Sequence, residues 1–296
     1  MLSYLQAVVI GLTQGITELF PISSLGHSVL LPAVIGGDWQ PLVTQSSTAD
    51  SGSSFYLAFI VALHVATASA LLLFFRREWV RIIGGFFRSL KPSFAARRIV
   101  AEDEDSRLAW LIVIATIPVG LTGLVLEHTF RTLFAKPLAA AIFLTINGVV
   151  LLVGERLRRV AEDDQPGRRT ALELSYPEAL GVGAFQIAAL FAGISRSGIA
   201  MVGGLARGLS HEDAARFSFL LATPVIFAAG VLKLPSLGGS AASHIHGQIL
   251  VGVGVAFVAA FLSVRFLVRY FETRTLTPFA IYSLVVGAAC IVRFSV

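Results

Sequence analysis

Long uncharged apolar runs recur along this chain at the length of a membrane-crossing helix. Phe55 to Phe75 is the first plain one, with His64 its only ionisable group, and Leu108 to Leu126, Pro137 to Gly154, Phe217 to Leu232, Gly247 to Val264 and Leu276 to Val292 follow. A helix needs roughly 20 predominantly apolar residues to cross the hydrocarbon core of a bilayer, so each run predicts a span. The pattern predicts an all-α polytopic membrane protein forming one membrane domain.

Two further apolar stretches are interrupted by polar residues, glycine and, in the first, proline. Between Met1 and about Ile35 lies Gln14-Gly-Ile-Thr-Glu18-Leu-Phe-Pro21-Ile-Ser23-Ser24-Leu-Gly26-His27. Broken backbone at membrane depth is tolerated only where protein or water covers it, which predicts a re-entrant helical hairpin with a polar tip. A second hairpin is expected over Tyr176 to Gly208. Shifted by 172 positions, Gly11, Gln14, Ile22, Ser23 and Gly26 fall on Gly183, Gln186, Ile194, Ser195 and Gly198. Matches at polar and glycine positions point to an internal repeat.

Charge sets the orientation. Arg76, Arg77, Arg81, Arg88, Lys91, Arg97, Arg98 and Arg107 crowd one segment, Arg156, Arg158, Arg159, Arg168 and Arg169 a second, and Arg265, Arg269 and Arg274 a third. Positive loops face the cytoplasm. Each half then holds one hairpin and three spans, and since three is odd the second half is inverted. Such an inverted-topology repeat, halves about 1–170 and 171–296, places a site where the hairpins meet near the midplane. Both termini fall outside. Gly36 to Ser54 and Leu234 to His246 read as loops lacking Lys and Arg, and Glu127 to Lys136 as a short outer loop. Trp79 to Phe87 fits an amphipathic helix at the interface, and Glu102 to Asp105 reads as a solvated charge run.

Composition adds exclusions. With 55% hydrophobic and 14% charged residues, a net charge of +5 spread over short loops argues for topology and against nucleic acid. Cys290 is the single cysteine, so no internal disulfide forms. The start carries no basic leader of a cleavable signal, and the first hairpin is expected to be retained.

Ionisable groups at membrane depth are functional by default. Arg196, in the second break, has a fork of donors suited to phosphate oxygens; Ser195, Ser197 and backbone N–H groups near Gly193 and Gly198 add neutral donors. The bland alternative is an Arg196–Glu18 pair serving structure alone. Glu18 follows Gln14 by one turn and can carry a divalent ion or activate a group, or merely cap the helix. Gln14 is a candidate phosphate-binding residue, and suits a helix–helix hydrogen bond equally well. Ser24 is a candidate nucleophile, Ser23 a binding or capping residue. His27 is placed for acid–base work or direct attack, against a plain interhelical bond. His64 reads as structural, without polar neighbours, and His211, His244 and His246 as solvated loop residues.

These residues resemble the undecaprenyl-diphosphate phosphatase family of the bacitracin-resistance type. Its acid-or-Gln, three residues, Glu motif running into Pro-x-Ser-Ser-x-Gly-His stands here as Gln14 to Glu18 and Pro21 to His27. Its second motif, Pro-Gly-x-Ser-Arg-Ser-Gly-x-Thr, reads Ala192 to Ala200, with Ala192 in place of proline and Ala200 in place of threonine. The resemblance implies the inverted-repeat fold, hydrolysis of a polyprenyl diphosphate of the C55 type to the monophosphate at the outer face of a bacterial plasma membrane, and catalysis by Glu18, Ser24, His27 and Arg196. It also implies a divalent cation, Mg or Ca, for which Glu18 is the candidate ligand. Membrane lipids are the expected surroundings, and homodimer formation stays open. The phosphatidic-acid type of phosphatase is disfavoured, because its Lys-x6-Arg-Pro and His-x3-Asp motifs are missing. A polyprenyl-phosphate transporter of the same fold is the serious rival, and a lipid-binding relative without catalysis a third reading.

Overall fold

The computed structural model describes residues 2–42, 55–134, 136–164, 169–237 and 245–295. Within them the chain is helical: α1 (Tyr4–Thr17), α2 (Ser24–Ile35), α3 (Phe55–Phe74), α4 (Arg76–Ala96), α5 (Glu104–Phe134), α6 (Pro137–Asp164), α7 (Tyr176–Phe185), α8 (Arg196–Leu205), α9 (His211–Leu237), α10 (His246–Phe271) and α11 (Thr277–Ser295). Five of these are long and apolar enough to cross a membrane among the described residues, or six if the bent pair α3–α4 supplies one. The six spans expected from hydropathy correspond to α3, α5, α6, α9, α10 and α11.

Both interrupted stretches are helix–break–helix units. Ser3 caps α1 and Ser175 caps α7, each in a reciprocal capping box with the residue three positions on. α1 stops at Thr17 and α2 begins at Ser24, with Ser23 as its N-cap. α7 ends at Phe185, a 3₁₀ turn runs from Gln186 to Leu190, and α8 starts at Arg196 behind the N-cap Ser195.

Packing follows small residues, as expected where lipid gives helices no hydrophobic reason to associate. α1 lies along α10, where a Cβ at Gly11 would sit 2.6 Å from the Gly252 carbonyl oxygen and one at Gly15 2.5 Å from that of Ala256. α7 packs on α5 through Gly183 and Ala115. α6 and α11 pair through Gly148 against Ala280 and Gly287 against Ala141, and α3 lies against α9.

Several expected boundaries shift. The segment 76–107 is mostly helix: α4 spans 21 residues, wider than Trp79 to Phe87, and turns 86° from the axis of α3. It buries Trp79, Ile82, Gly85 and Ser89, packing against α5. Asp103 and Asp105 are not simply solvated. Asp103 accepts from the Ser106 N–H at 2.7 Å, capping α5, and pairs with Arg88 at 3.1 Å. Those bonds from Ser106 and Arg88 pull its carboxyl below the usual range. The expected outer loop at 127–136 is largely helix, since α5 runs on to Phe134; α6 likewise continues past Gly154 to Asp164. His211 is no loop residue. It opens α9 and meets the buried Glu155 carboxylate at 2.8 Å, which also accepts the Leu276 N–H at 2.6 Å. Residues 43–54 and 238–244, which include most of the expected Ser/Thr-rich loop and His244, lie outside the described residues.

The end of the linker is pinned to the second hairpin. Arg169 binds both Glu178 oxygens, at 2.7 and 2.8 Å, and holds that carboxyl down at about 2. Arg107 donates to the Leu172 and Leu174 carbonyls.

The two breaks cross backbone to backbone. A Cβ on Gly26 would lie 2.9 Å from the Cα of Gly193, whereas one on Gly254 would meet nothing within 4 Å. Gly26→Ala is therefore expected to lower the thermal unfolding midpoint in detergent by an amount equivalent to about 1–3 kcal/mol. Gly254→Ala, midway along α10, is expected to leave it unchanged or raise it.

Candidate functional site

Each break is held open by its own hydroxyl and locked to the other. The Ser23 Oγ accepts from Gly26 N–H within its own hairpin and from Gly193 N–H of the other, both at 3.2 Å. Ser23 adopts a left-handed φ of 70°, and Gly193 a φ of 117°. Non-glycine residues persist in that region only when their surroundings over-determine them, and they cluster at functional sites. In the second break the Ser195 Oγ accepts from Gly198 N–H at 3.1 Å and shares a hydrogen bond with Ser197 Oγ at 3.1 Å.

Asn147, in the middle of α6, ties the two breaks together. Its amide donates to the Pro21 carbonyl at 3.0 Å and to Ser283 Oγ at 3.2 Å, while its carbonyl accepts from Ser195 N–H at 2.9 Å. It is fully buried, so a nonpolar replacement would leave the Pro21 carbonyl and the Ser195 N–H unpaired. Sequence reading passed over it; the signal was a lone carboxamide in an otherwise apolar span.

Against this frame sits a compact polar cluster. Glu18, the first residue after α1, is 6% exposed and receives hydrogen bonds from three sides. Gln14 Nε2 donates to Oε2 at 3.1 Å, Ser24 Oγ donates to the same oxygen, and Arg196 Nη2 donates to Oε1 at 2.9 Å. His64 comes from α3 to the same carboxylate, its Nε2 lying 3.4 Å from Oε2. The expectation that His64 lacks polar neighbours is overturned: Glu18 reaches it across the helix interface. Its Nδ1 lies 2.8 Å from the Ile60 carbonyl, which can only accept, so Nδ1 carries a proton and Nε2 faces Glu18.

His27 is turned elsewhere. Its Nδ1 donates to the Ser23 carbonyl at 2.7 Å, and its Nε2 accepts from the Tyr282 hydroxyl at 2.8 Å, with the rings stacked. Both ring nitrogens are engaged, and neither contacts Glu18, Ser24 or Arg196. The structure thus gathers Glu18, Ser24, Arg196 and Gln14, adds His64, and sets His27 behind the turn that carries Ser24.

A cavity of about 290 Å³ opens on the cluster, bounded by Glu18, Ser23, Ser24, His64, Ser195 and Arg196 on one side and by apolar residues such as Val29, Ile60, Val119 and Ile226 on the other. α2 and α8 both begin there, so two helix N-termini with their partial positive charge flank it. Two polar atoms among the residues lining it have no partner: Arg196 Nη1 and Gln186 Oε1. An unpaired guanidinium nitrogen beside two helix N-termini is a site for an anion with several oxygens. The apolar remainder fits a hydrocarbon tail. Ser197 and Gly198, expected to touch the ligand, are instead packed into the α8 start, where Ser197 Oγ points to the Phe20 carbonyl and Gly198 lies on Pro21.

Known proteins share this chain's sequence almost end to end. It is 56% identical over 345 aligned residues to undecaprenyl-diphosphatase 2 of Frankia alni, covering 100% of this chain and 99% of that one. It is 56% identical over 306 residues to the undecaprenyl-diphosphatase of Mycolicibacterium paratuberculosis, covering 98% and 97%, and 44% identical over 288 residues to undecaprenyl-diphosphatase 2 of Burkholderia lata, covering 96% and 94%. A family model described as bacitracin resistance protein BacA matches residues 7–289, and the chain belongs to that family.

Proposed function

We propose that this protein is an integral membrane undecaprenyl-diphosphatase, hydrolysing the lipid diphosphate to the monophosphate and free phosphate and so recycling a cell-wall lipid carrier, with resistance to bacitracin as a consequence. The carrying observation is a cavity lined by Arg196, whose Nη1 has no partner, and by the N-termini of two helices, where Ser24 is hydrogen-bonded to a carboxylate. A flippase has less use for that carboxylate, which repels the anion it would release; a hydrolase needs a proton acceptor there.

The reaction divides among the chain's own groups. Arg196 and the first turns of α2 and α8 bind the terminal phosphate and offset charge gathering on its oxygens. Ser24 Oγ attacks the terminal phosphorus as its proton passes to the Glu18–His64 pair. The bond from phosphorus to the bridging oxygen breaks, and the lipid monophosphate leaves. The Ser24 proton departs with the lipid monophosphate; water then attacks the phosphoserine, giving a proton to the freed pair, which returns it to Ser24 Oγ as phosphate departs. His27 positions Ser24 by anchoring the Ser23 carbonyl behind it. A Mg or Ca ion takes carboxylate together with substrate phosphate oxygens. Glu18 is the carboxylate available at the cavity, and no group of three or more metal-ligating side chains occurs among the described residues, so the substrate would supply the other ligands. Such an ion would neutralise phosphate charge.

The same proposal includes the inverted repeat, and reciprocal contacts support it. Gly26 on Gly193 has its counterpart, under the shift of 172, in Gly198 on Pro21. Gly148 on Ala280 is mirrored by Gly287 on Ala141, both related by a shift of 139. A two-fold axis generates such swapped pairs, and the smaller shift reflects the extra α4 in the first half. With the basic segments cytoplasmic, the termini lie outside the plasma membrane and the cavity serves its outer face.

Phosphate release by the purified protein in detergent tests this. Arg196→Ala and Glu18→Gln are each expected to lower kcat/KM by about 10²–10⁴-fold; near-normal activity in both would remove the proposed centre. His64→Ala is expected to cost about 10²-fold and to displace the pH–rate profile. His27→Ala should cost activity that His27→Asn, which keeps a donor at the Nδ1 position, largely restores; equal loss in both would make His27 an acid–base group instead. Chelation with EDTA is expected to abolish turnover, with Mg or Ca restoring it, while unchanged turnover in EDTA would exclude the cation.

A further inference from the structure

A second lipid-sized site lies outside the catalytic cluster, in the corner between α4 and α5. A groove of about 550 Å³ runs there between Trp79, Phe86 and Phe87 on α4 and Val113, Ile117 and Leu124 on α5. Its α5 side covers sixteen residues, Ala109 to Leu124. At 1.5 Å per residue that is about 24 Å, more than one leaflet's share, about 15 Å, of the hydrocarbon core. The groove fits one extended acyl chain.

α4 shows three faces. Trp79, Ile82, Gly85 and Ser89 are buried, with α5 as the packing partner. Val80, Ile83, Phe87 and Phe94 form an exposed apolar stripe, at 73%, 48%, 66% and 78% accessibility. Arg77, Arg81, Arg88 and Lys91 form an exposed cationic stripe beside it. Arg88 and Arg81 face Asp103 and Asp105, at 3.1 and 3.9 Å, while Arg77 and Lys91 have no ion pair among the described residues. Because α4 turns 86° from the spanning α3, it runs at headgroup level with its apolar stripe toward the acyl chains. The Trp79 indole is nine-tenths buried, lines the groove, and its N–H has no partner.

From the cationic stripe and the apolar groove beside it, we propose that this corner binds one anionic glycerophospholipid of the cytoplasmic leaflet, its acyl chain in the groove and its phosphate at the Arg77–Arg81 end of α4. Such a lipid fixes α4 against α5 on the side of the fold opposite the catalytic opening. Gly120 offers a clean test. It lines the groove, and a Cβ there meets nothing within 4 Å, so a larger side chain fills the groove without entering the protein core.

The full-length protein in detergent, titrated separately with dioleoylphosphatidylglycerol and dioleoylphosphatidylcholine, is read by native mass spectrometry. We expect one retained phosphatidylglycerol per chain, favoured over phosphatidylcholine roughly fivefold or more, from about 1 kcal/mol per basic residue. Gly120→Leu is expected to reduce both adducts to the level of non-specific lipid while phosphate release is preserved. The double variant Arg77→Gln, Arg81→Gln, changed only at exposed positions, is expected to keep an adduct but lose the headgroup preference. Retention of the adduct in Gly120→Leu, or equal retention of the two lipids by the unchanged protein, would overturn the proposal by leaving only annular lipid. Displacement of the adduct by undecaprenyl phosphate would also overturn it, assigning the groove to the prenyl chain.

Discussion

One carboxylate meeting one guanidinium across two broken helices is the contact on which this structure depends. Glu18 and Arg196 are 178 residues apart, and each sits where its helix pattern fails. Neither charge is tolerable alone at membrane depth. Together they neutralise one another, yet the pairing is deliberately incomplete. One guanidinium nitrogen is spent on Glu18, and another, Nη1, is left without a partner at a cavity. A purely structural salt bridge would be expected to satisfy its donors, since an unpaired buried donor is costly. The proposed binding of the substrate phosphate draws on that residual donor.

Everything around the pair serves to keep the two breaks in register. Ser23 and Gly193 share a hydrogen bond across them, Asn147 bonds to both, and the Gly26–Gly193 approach leaves no room for a side chain. The strain of a non-glycine residue at φ 70° immediately before Ser24 belongs to the same arrangement, because it turns the α2 N-terminus toward the cavity. α4 and its basic residues stand apart from this machinery and read as the membrane-surface part of the fold.

Much of this was legible in the sequence. Apolar run length located the spans, and the coincidence of Pro21 with Ser23 and Ser24, and of Gly193 with Arg196, located the breaks. The repeat pairing of Gly26 with Gly198 named two residues that the structure places at the crossing. What escaped was whatever depended on a neighbour distant in sequence. His64 sits alone in its own helix, and nothing within twenty residues of it hints at Glu18. Asn147 is one amide in a plain span, and its three partners come from three other segments. His27 misled in the opposite way. Proximity to Ser24 in the chain suggested contact, but one turn of α2 carries the imidazole to Tyr282, 255 positions away. Helix ends were also underestimated, because amphipathic extensions such as those of α6 and α9 leave the apolar window before they leave the helix.

A double-mutant cycle on kcat/KM, built from Glu18→Gln, Arg196→Gln and the two combined, addresses the central contact most directly. If Glu18 and Arg196 form one unit, the combined variant is expected to be hardly worse than the more damaged single one, a coupling about as large as the smaller single loss, roughly 3–5 kcal/mol. Losses that simply multiply would show that the two residues act independently, and that the meeting of the two breaks is not what creates the site.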